Sequence, residues 1–248
     1  MLLIDIEFDS SRAGAAGPPC GLVSATGVHT SPGGASEICE HRAMSAVPGL
    51  TAYLAGRPVA DRAATVAAAA HEGQTRKADG APFITHPLEV GLLLHSLGYD
   101  DDIVSAGILH DVVEKGGMTM ESVTDAFGPR VAEMVEALTE DESISEYRVR
   151  KAAQRDQVAR ASDDAVLVFA ADKVSKAREA RLAGTARRLG ADELVARREH
   201  YRESIAMIEA RLPGHPFADE LRFELATQTV VPDLAKLLRA GTGDVAPA

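Results

Sequence analysis

Two side chains able to hold a metal ion stand next to each other in Leu109-His110-Asp111-Val112-Val113-Glu114. The segment before them, Ile103-Val104-Ser105-Ala106-Gly107-Ile108, is almost wholly apolar, which places the pair inside the fold. A buried imidazole and carboxylate are costly unless something pairs with them. A divalent cation relieves that cost, because it takes neutral imidazole and carboxylate together. Two further positions offer the same chemistry. His86 precedes Pro87 at a loop-to-helix junction, and Asp172 closes the apolar run Val166-Leu167-Val168-Phe169-Ala170-Ala171. His86, His110, Asp111 and Asp172 form a mixed nitrogen and oxygen set that suits Mn²⁺, Fe²⁺ or Zn²⁺, and the ligand types do not choose among them. Water in an open coordination position becomes a nucleophile near neutral pH, and Glu114 is placed to orient it or move its proton. Each piece alone has a plainer reading: a common dipeptide, a helix-entry histidine, an aspartate that caps or pairs. Their occurrence together, in this order, points to a metal-dependent hydrolase.

The elements that must position these residues read as helices. Residues 59–71 form an Ala-rich helix, and 73–82 a polar loop closed by Pro82. A helix over 87–97 has Pro in its first turn and Gly98 at its end. Asp100, Asp101 and Asp102 suit the N-terminus of the next helix. That helix is expected to carry His110-Asp111 and to stop at Gly116-Gly117. On it, relative to His110, Glu114 falls at about +40° and Asp111 at about +100°, so all three can face one cavity. Gly107, on the same face, leaves room for something to approach. Further helices are read over 119–127, 130–138, 146–161, 165–182, 192–212 and 217–240, the last broken at Pro232. Strand signals are few, and no internal repeat is found.

The bulk numbers agree with an all-α domain. Only 4% of the 248 residues are aromatic and Trp is absent, so Ala, Leu and Val must do the packing. The net charge of −11 argues against a nucleic-acid-coating surface, and an anionic substrate then needs a local basic patch or a metal. Cys20 and Cys39 make neither a disulfide framework nor a zinc-site spacing. No apolar run is long enough to span a membrane and no secretory signal is seen, so the expected setting is the cytoplasm. Residues 1–45 are linker-like and read as a disordered extension, with Met44 as an alternative start; 46–240 is the domain and 241–248 a flexible tail.

The sequence resembles the HD superfamily of metal phosphohydrolases, and within it the hydrolase domain of RelA/SpoT proteins and the small alarmone hydrolases. The matching residues are Ala70-His71-Glu72-Gly73-Gln74-Thr75-Arg76-Lys77, Gly80-Ala81-Pro82-Phe83-Ile84-Thr85-His86-Pro87, and Ala106-Gly107-Ile108-Leu109-His110-Asp111-Val112-Val113-Glu114. Phe127-Gly128-Pro129-Arg130-Val131, Leu138-Thr139-Glu140-Asp141 and Ala170-Ala171-Asp172-Lys173 complete the set. The resemblance implies an HD-domain helical bundle holding one Mn²⁺-like ion on His86, His110, Asp111 and Asp172. It implies a guanosine substrate with a 3′-pyrophosphate, released by hydrolysis. Arg76 matches the residue that packs on the guanine, Lys77 a residue lining that pocket, and Glu114 the first of two acids at the attacking water.

Two positions depart from the family. Lys115 stands where the second acid is expected, and Lys176 where the family usually has Asn. Both add positive charge beside the ion and both are candidate substrate contacts. Lys176 could instead pair with Glu114 or compete with the metal for Asp172. Two other readings therefore stand beside the leading one: an HD-type phosphatase acting on another nucleotide or phosphorylated cofactor, and a non-catalytic nucleotide sensor. The remaining charged residues read more plainly. Arg148, Arg150, Lys151 and Arg155 are expected on a solvated helix face, with a phosphate contact open to one or two of them, His71 as a structural hydrogen bonder, and His95 and His200 as surface or packing residues. The set Lys173, Lys176, Arg178, Arg181, Arg187 and Arg188 is expected to compensate a helix dipole, with a partner surface as the alternative.

Overall fold

A computed structural model describes residues 51–230, other than 186 and 187. The expectations for residues 1–45, Arg187, Pro232 and the tail 241–248 lie outside the described residues. Among those described, all regular structure is helical, apart from one isolated antiparallel bridge between Thr75 and Pro82. A short 3₁₀ turn, Ala52–Leu54, is followed by α1 (Pro58–Ala70), α2 (Thr85–Ser96), α3 (Asp101–Leu109), α4 (Met120–Phe127) and α5 (Pro129–Leu138). Then come α6 (Tyr147–Arg160), α7 (Asp163–Leu182), α8 (Ala191–Arg211) and α9 (Pro216–Val230). No described helix is long and apolar enough to cross a membrane.

The core is built around α3, whose residues from Ile103 to Leu109 are all buried. It packs against α1, α2, α5 and α7. The low aromatic content explains how. α1 turns Ala60, Ala63, Ala64 and Ala67 inward, and small side chains let two helix axes come close. Asp100 caps α3 through Ile103 N, as its charge suggested. Ser162 caps α7, and Thr119 with Ser122 forms a reciprocal cap on α4. The first half of α7 is buried on every side, because it packs against α2, α5 and α9 at once.

The group that approaches Gly107 is α2. A side chain at Gly107 would meet Leu94 Cδ1 at 2.5 Å and Val90 Cγ1 at 3.2 Å. Across the same contact, a Cβ on Gly91 would stand 2.6 Å from Ile108 Cγ1 and would press on the Tyr53 hydroxyl. Gly91→Ala is therefore expected to force α2 and α3 apart and to cost about 1–3 kcal/mol. Urea unfolding of the purified variant measures this, and an unchanged midpoint would contradict the tight packing.

One expected element ends early. α3 stops at Leu109, and His110 is its C-cap rather than an interior residue. The ladder tightens there, since Val112 N bonds Leu109 O at 3.0 Å instead of keeping four-residue spacing. His110 Nδ1 bonds the Gly107 carbonyl at 2.8 Å, and a side chain that takes a backbone acceptor competes with helix propagation. Asp111 to Gly116 then run as turns, with one further helical bond from Lys115 N to Asp111 O at 2.9 Å.

Candidate metal centre

Three packed helices supply the candidate ligands. His86 lies in the first turn of α2, which starts after Pro82 with Thr85 Oγ1 bonded to the Pro82 carbonyl at 2.8 Å. His110 and Asp111 sit at the end of α3. Asp172 lies in mid-α7, where apolar neighbours bury it. One ligand atom each from His86, His110 and Asp172 falls within 4.8 Å of the others. His86 Nε2 is 3.2 Å from His110 Nε2 and 3.1 Å from Asp172 Oδ1. Asp111 Oδ2 is 3.2 Å from His110 Nε2 and 3.8 Å from His86 Nε2. All four side chains are buried.

The donor set fits a divalent metal ion. The Gly107 carbonyl can only accept, so His110 carries a hydrogen on Nδ1 and turns Nε2 to the centre, where it offers a lone pair once its own proton is lost. Asp111 Oδ2 and Asp172 Oδ1 are buried and turned to the two imidazoles; their near neighbours are His110 Nε2, 3.2 Å from Asp111 Oδ2, and His86 Nε2 and Lys176 Nζ, 3.1 and 2.8 Å from Asp172 Oδ1. Two carboxylate oxygens and a lone pair aimed at one point are what a cation requires.

Charge at this point is tightly balanced. Burial pushes His86 down to about 4, with Lys176 and His110 helping and Asp172 opposing. Burial also works against charge on His110, but Asp111 and Asp172 outweigh it and lift that imidazole to about 9. Burial works against the carboxylates as well. His110 and Lys176 nevertheless hold Asp111, and Lys173 and Lys176 hold Asp172, well below the usual range. A cation bound there would take the place of the proton on His110 Nε2. Three ammonium groups touch the carboxylates: Lys115 reaches Asp111 Oδ1 at 2.6 Å, Lys173 reaches Asp172 Oδ2 at 2.9 Å, and Lys176 reaches Asp172 Oδ1 at 2.8 Å. Of the three roles open to Lys176, the structure shows the pairing with Asp172.

His86, alone of the four, lines a cleft of about 1360 Å³. Arg76, Lys77, Glu114, Lys115 and Lys176 all line it together with His86. Ten Lys or Arg and four Glu line the cleft, so an acidic protein carries the local basic patch that an anionic ligand needs. Arg76 and Lys77 are brought there by the 73–82 loop, a small hairpin in which Arg76 N bonds Ala81 O at 2.8 Å and Phe83 N bonds Gln74 O at 2.9 Å. Gly80, at φ +77°, makes its reversal. The Arg76 guanidinium is paired with Asp79 and lies 3.8 Å from Glu179. Glu114 is half-buried. Its Oε2 accepts from Glu140 N at 3.3 Å, and its Oε1 lies 3.4 Å from Lys115 Nζ.

Several plainer expectations are corrected. Arg150 and Lys151 line the cleft instead of a solvated face, and both pair with the buried Glu140. Arg148 does reach a surface partner, Glu199. Arg155 holds Glu203 and the His200 ring, and His200 is buried against the cleft with its imidazole strongly disfavoured as a cation by burial and the nearby lysines. The basic side chains of α7 have specific partners: Lys173 and Lys176 turn to Asp172, and Arg178 and Arg181 turn to Glu224 on α9, with Arg181 in the last turn as the dipole reading expects. His71 bonds Gln74 as expected, and Gln74 holds the Lys115 carbonyl at 2.8 Å, tying the loop to the motif. A sequence signal existed for Lys173, which follows Asp172 directly, whereas Lys151 is eleven residues from Glu140 and carried none.

A helical domain that brings two imidazoles and an aspartate to one buried point, with a second aspartate beside them, has the donors of a metal site. The chain belongs to the HD domain family, which matches residues 63–196. It is 38% identical over 120 residues to the guanosine-3′,5′-bis(diphosphate) 3′-pyrophosphohydrolase MESH1 of Homo sapiens, covering 47% of this chain and 66% of that protein. It is 40% identical over 89 residues to the bifunctional (p)ppGpp synthase/hydrolase SpoT of Escherichia coli (strain K12), covering 36% of this chain and only 12% of that protein. A guanosine-3′,5′-bis(diphosphate) 3′-pyrophosphohydrolase of Vibrio cholerae is 33% identical over 178 residues, 70% of this chain and 24% of that one. A solved structure of a metazoan ortholog of SpoT that hydrolyzes ppGpp matches with a TM-score of 0.54 at 25% identity, over 68% of this chain and 93% of that one.

Proposed function

We propose that the protein is a metal-dependent phosphohydrolase that releases pyrophosphate from a guanosine nucleotide carrying a 3′-diphosphate. The observation that carries this reading is the convergence of His110, Asp111 and Asp172 on His86, which lines a basic cleft. The relatives named above act on that substrate class, which supports the choice of nucleotide. The site residues take their roles from position. His86, His110, Asp111 and Asp172 hold the ion, for which Mn²⁺ suits the two-nitrogen, two-carboxylate set. When bound, the ion polarises a phosphoryl oxygen and lowers the pKa of water. Glu114, in the cleft wall beside that point, accepts the proton from the attacking water. Arg76 offers a flat guanidinium to the purine, and Lys77, Lys115 and Lys176 offer cations to the phosphates. Water adds to the outgoing phosphoryl group, the bond to the 3′ oxygen breaks, and the tetraphosphate yields GDP and pyrophosphate. Incubating the Mn²⁺-loaded protein with guanosine 3′,5′-bis(diphosphate) tests this by following pyrophosphate. Orthophosphate as the product from other nucleotides would instead favour the phosphatase reading.

One observation favours the sensor reading. Lys115 and Lys176 already neutralise the two carboxylates, and Lys176 does so on the oxygen that faces the histidines. If these lysines hold the centre in a binding-only state, Lys115→Asp with Lys176→Asn is expected to raise hydrolysis at least tenfold above an inactive wild type. Initial rates of pyrophosphate release check this. A double variant no faster than wild type removes the motive for the sensor reading.

A further inference from the structure

Ser175 stands one helical turn after Asp172 on α7 and is fully buried. Its hydroxyl has two partners. His86 Nδ1 lies 2.9 Å from Ser175 Oγ, and Ser175 Oγ donates to Glu89 Oε2 at 2.9 Å. A hydroxyl has one hydrogen, and a carboxylate only accepts. With that hydrogen on Glu89, Ser175 Oγ must accept from His86. The His86 hydrogen is then on Nδ1, and Nε2 turns its lone pair toward His110, Asp111 and Asp172.

The chain of contacts continues. Glu89 Oε1 accepts from Arg178 Nη1 at 2.6 Å. Arg178 Nε donates to Glu224 Oε1 at 3.2 Å, and its Nη2 pairs with Glu220, so the guanidinium is held between α2 and α9. Glu224 is itself buried and also takes Arg181. Glu89 lies three residues after His86 on α2, and Ser175 three residues after Asp172 on α7. Each support therefore shares a helix face with a candidate ligand. His110 needs no such device, because a backbone carbonyl sets its tautomer. His86 has no backbone acceptor on Nδ1 and depends on these side chains.

We propose that Ser175 and Glu89 are positioning residues that fix the tautomer and direction of His86 for the metal ion, and that Arg178 anchors them to α9. The proposal rests on the metal-site reading. Partners of this kind orient a ligating imidazole, and losing one typically weakens metal binding 10–100-fold.

The test compares wild type, Ser175→Ala and Glu89→Gln by Mn²⁺ titration calorimetry, by the visible spectrum of the Co²⁺-loaded protein, and by melting in the metal-free state. Ser175→Ala is expected to weaken Mn²⁺ binding 10–100-fold and to change the Co²⁺ spectrum, while its metal-free melting temperature stays near wild type. Glu89→Gln is expected to shift both metal readouts the same way by a smaller factor, and it decides the question if Ser175→Ala does not fold. Wild-type affinity and spectrum in a folded variant would overturn the relay and leave the metal centre standing. A wild type that binds neither ion would overturn the metal centre and the relay with it.

Discussion

The double substitution His110→Ala, Asp111→Ala is expected to lower metal-dependent pyrophosphate release by at least about 10³-fold. Polarisation and water activation by a bound cation supply several kcal/mol of transition-state stabilisation, and about 4 kcal/mol corresponds to about 10³-fold in rate. Both residues place an atom within 3.2 Å of another ligand atom, so their loss leaves only His86 and Asp172 at the centre. The fold should survive. Lys115, the cation that Asp111 leaves behind, has a side chain 33% exposed and can turn to solvent. Loss of the His110 ring leaves the Gly107 carbonyl short of a partner, which costs about 1–3 kcal/mol. A folded double variant that retains full activity would refute the site.

Glu114→Gln is expected to lower kcat by about 10²-fold or more while metal affinity stays within a few-fold of wild type. General-base contributions of 10²–10⁴ are usual for a positioned carboxylate. The amide keeps the shape and can still accept from Glu140 N, whose bond to Glu114 Oε2 is 3.3 Å, so the side chain stays in place while its basicity is lost. Steady-state rates of pyrophosphate release together with Mn²⁺ calorimetry separate the two effects. A variant with unchanged kcat would remove Glu114 from the proton path. A variant that loses the metal instead would make Glu114 part of the ion's coordination.

Much of this site is legible in the chain because its chemistry violates local pattern. Asp172 after five apolar residues and an alanine, and His110-Asp111 after an apolar helix, are charges where a core should be. The helices follow from equally local signals: Asp100 and Ser162 as caps, Pro87 in a first turn, Gly98 and Gly128 at positive φ. What the chain does not display is contact between distant segments. The pairing of Arg150 and Lys151 with Glu140 depends on how α6 lies over the loop after α5, and a basic helix stretch looks the same whether it faces water or a cleft. The early end of α3 is hidden for a similar reason, since periodicity continues through residues 110–114 while the His110 ring takes the Gly107 carbonyl. Ser175 carries no signal by itself, and its importance appears only once α2 and α7 are side by side.

In the proposed mechanism one divalent ion, held by His86, His110, Asp111 and Asp172, drives hydrolysis of a guanosine 3′-diphosphate. Metal analysis and guanosine 3′,5′-bis(diphosphate) hydrolysis on a single preparation test it most directly. The expected result is close to one equivalent of a transition metal per chain, pyrophosphate release that chelation abolishes, and recovery on adding Mn²⁺. Pyrophosphate release that persists in metal-free protein, or a fully metal-loaded protein that releases none, would contradict it.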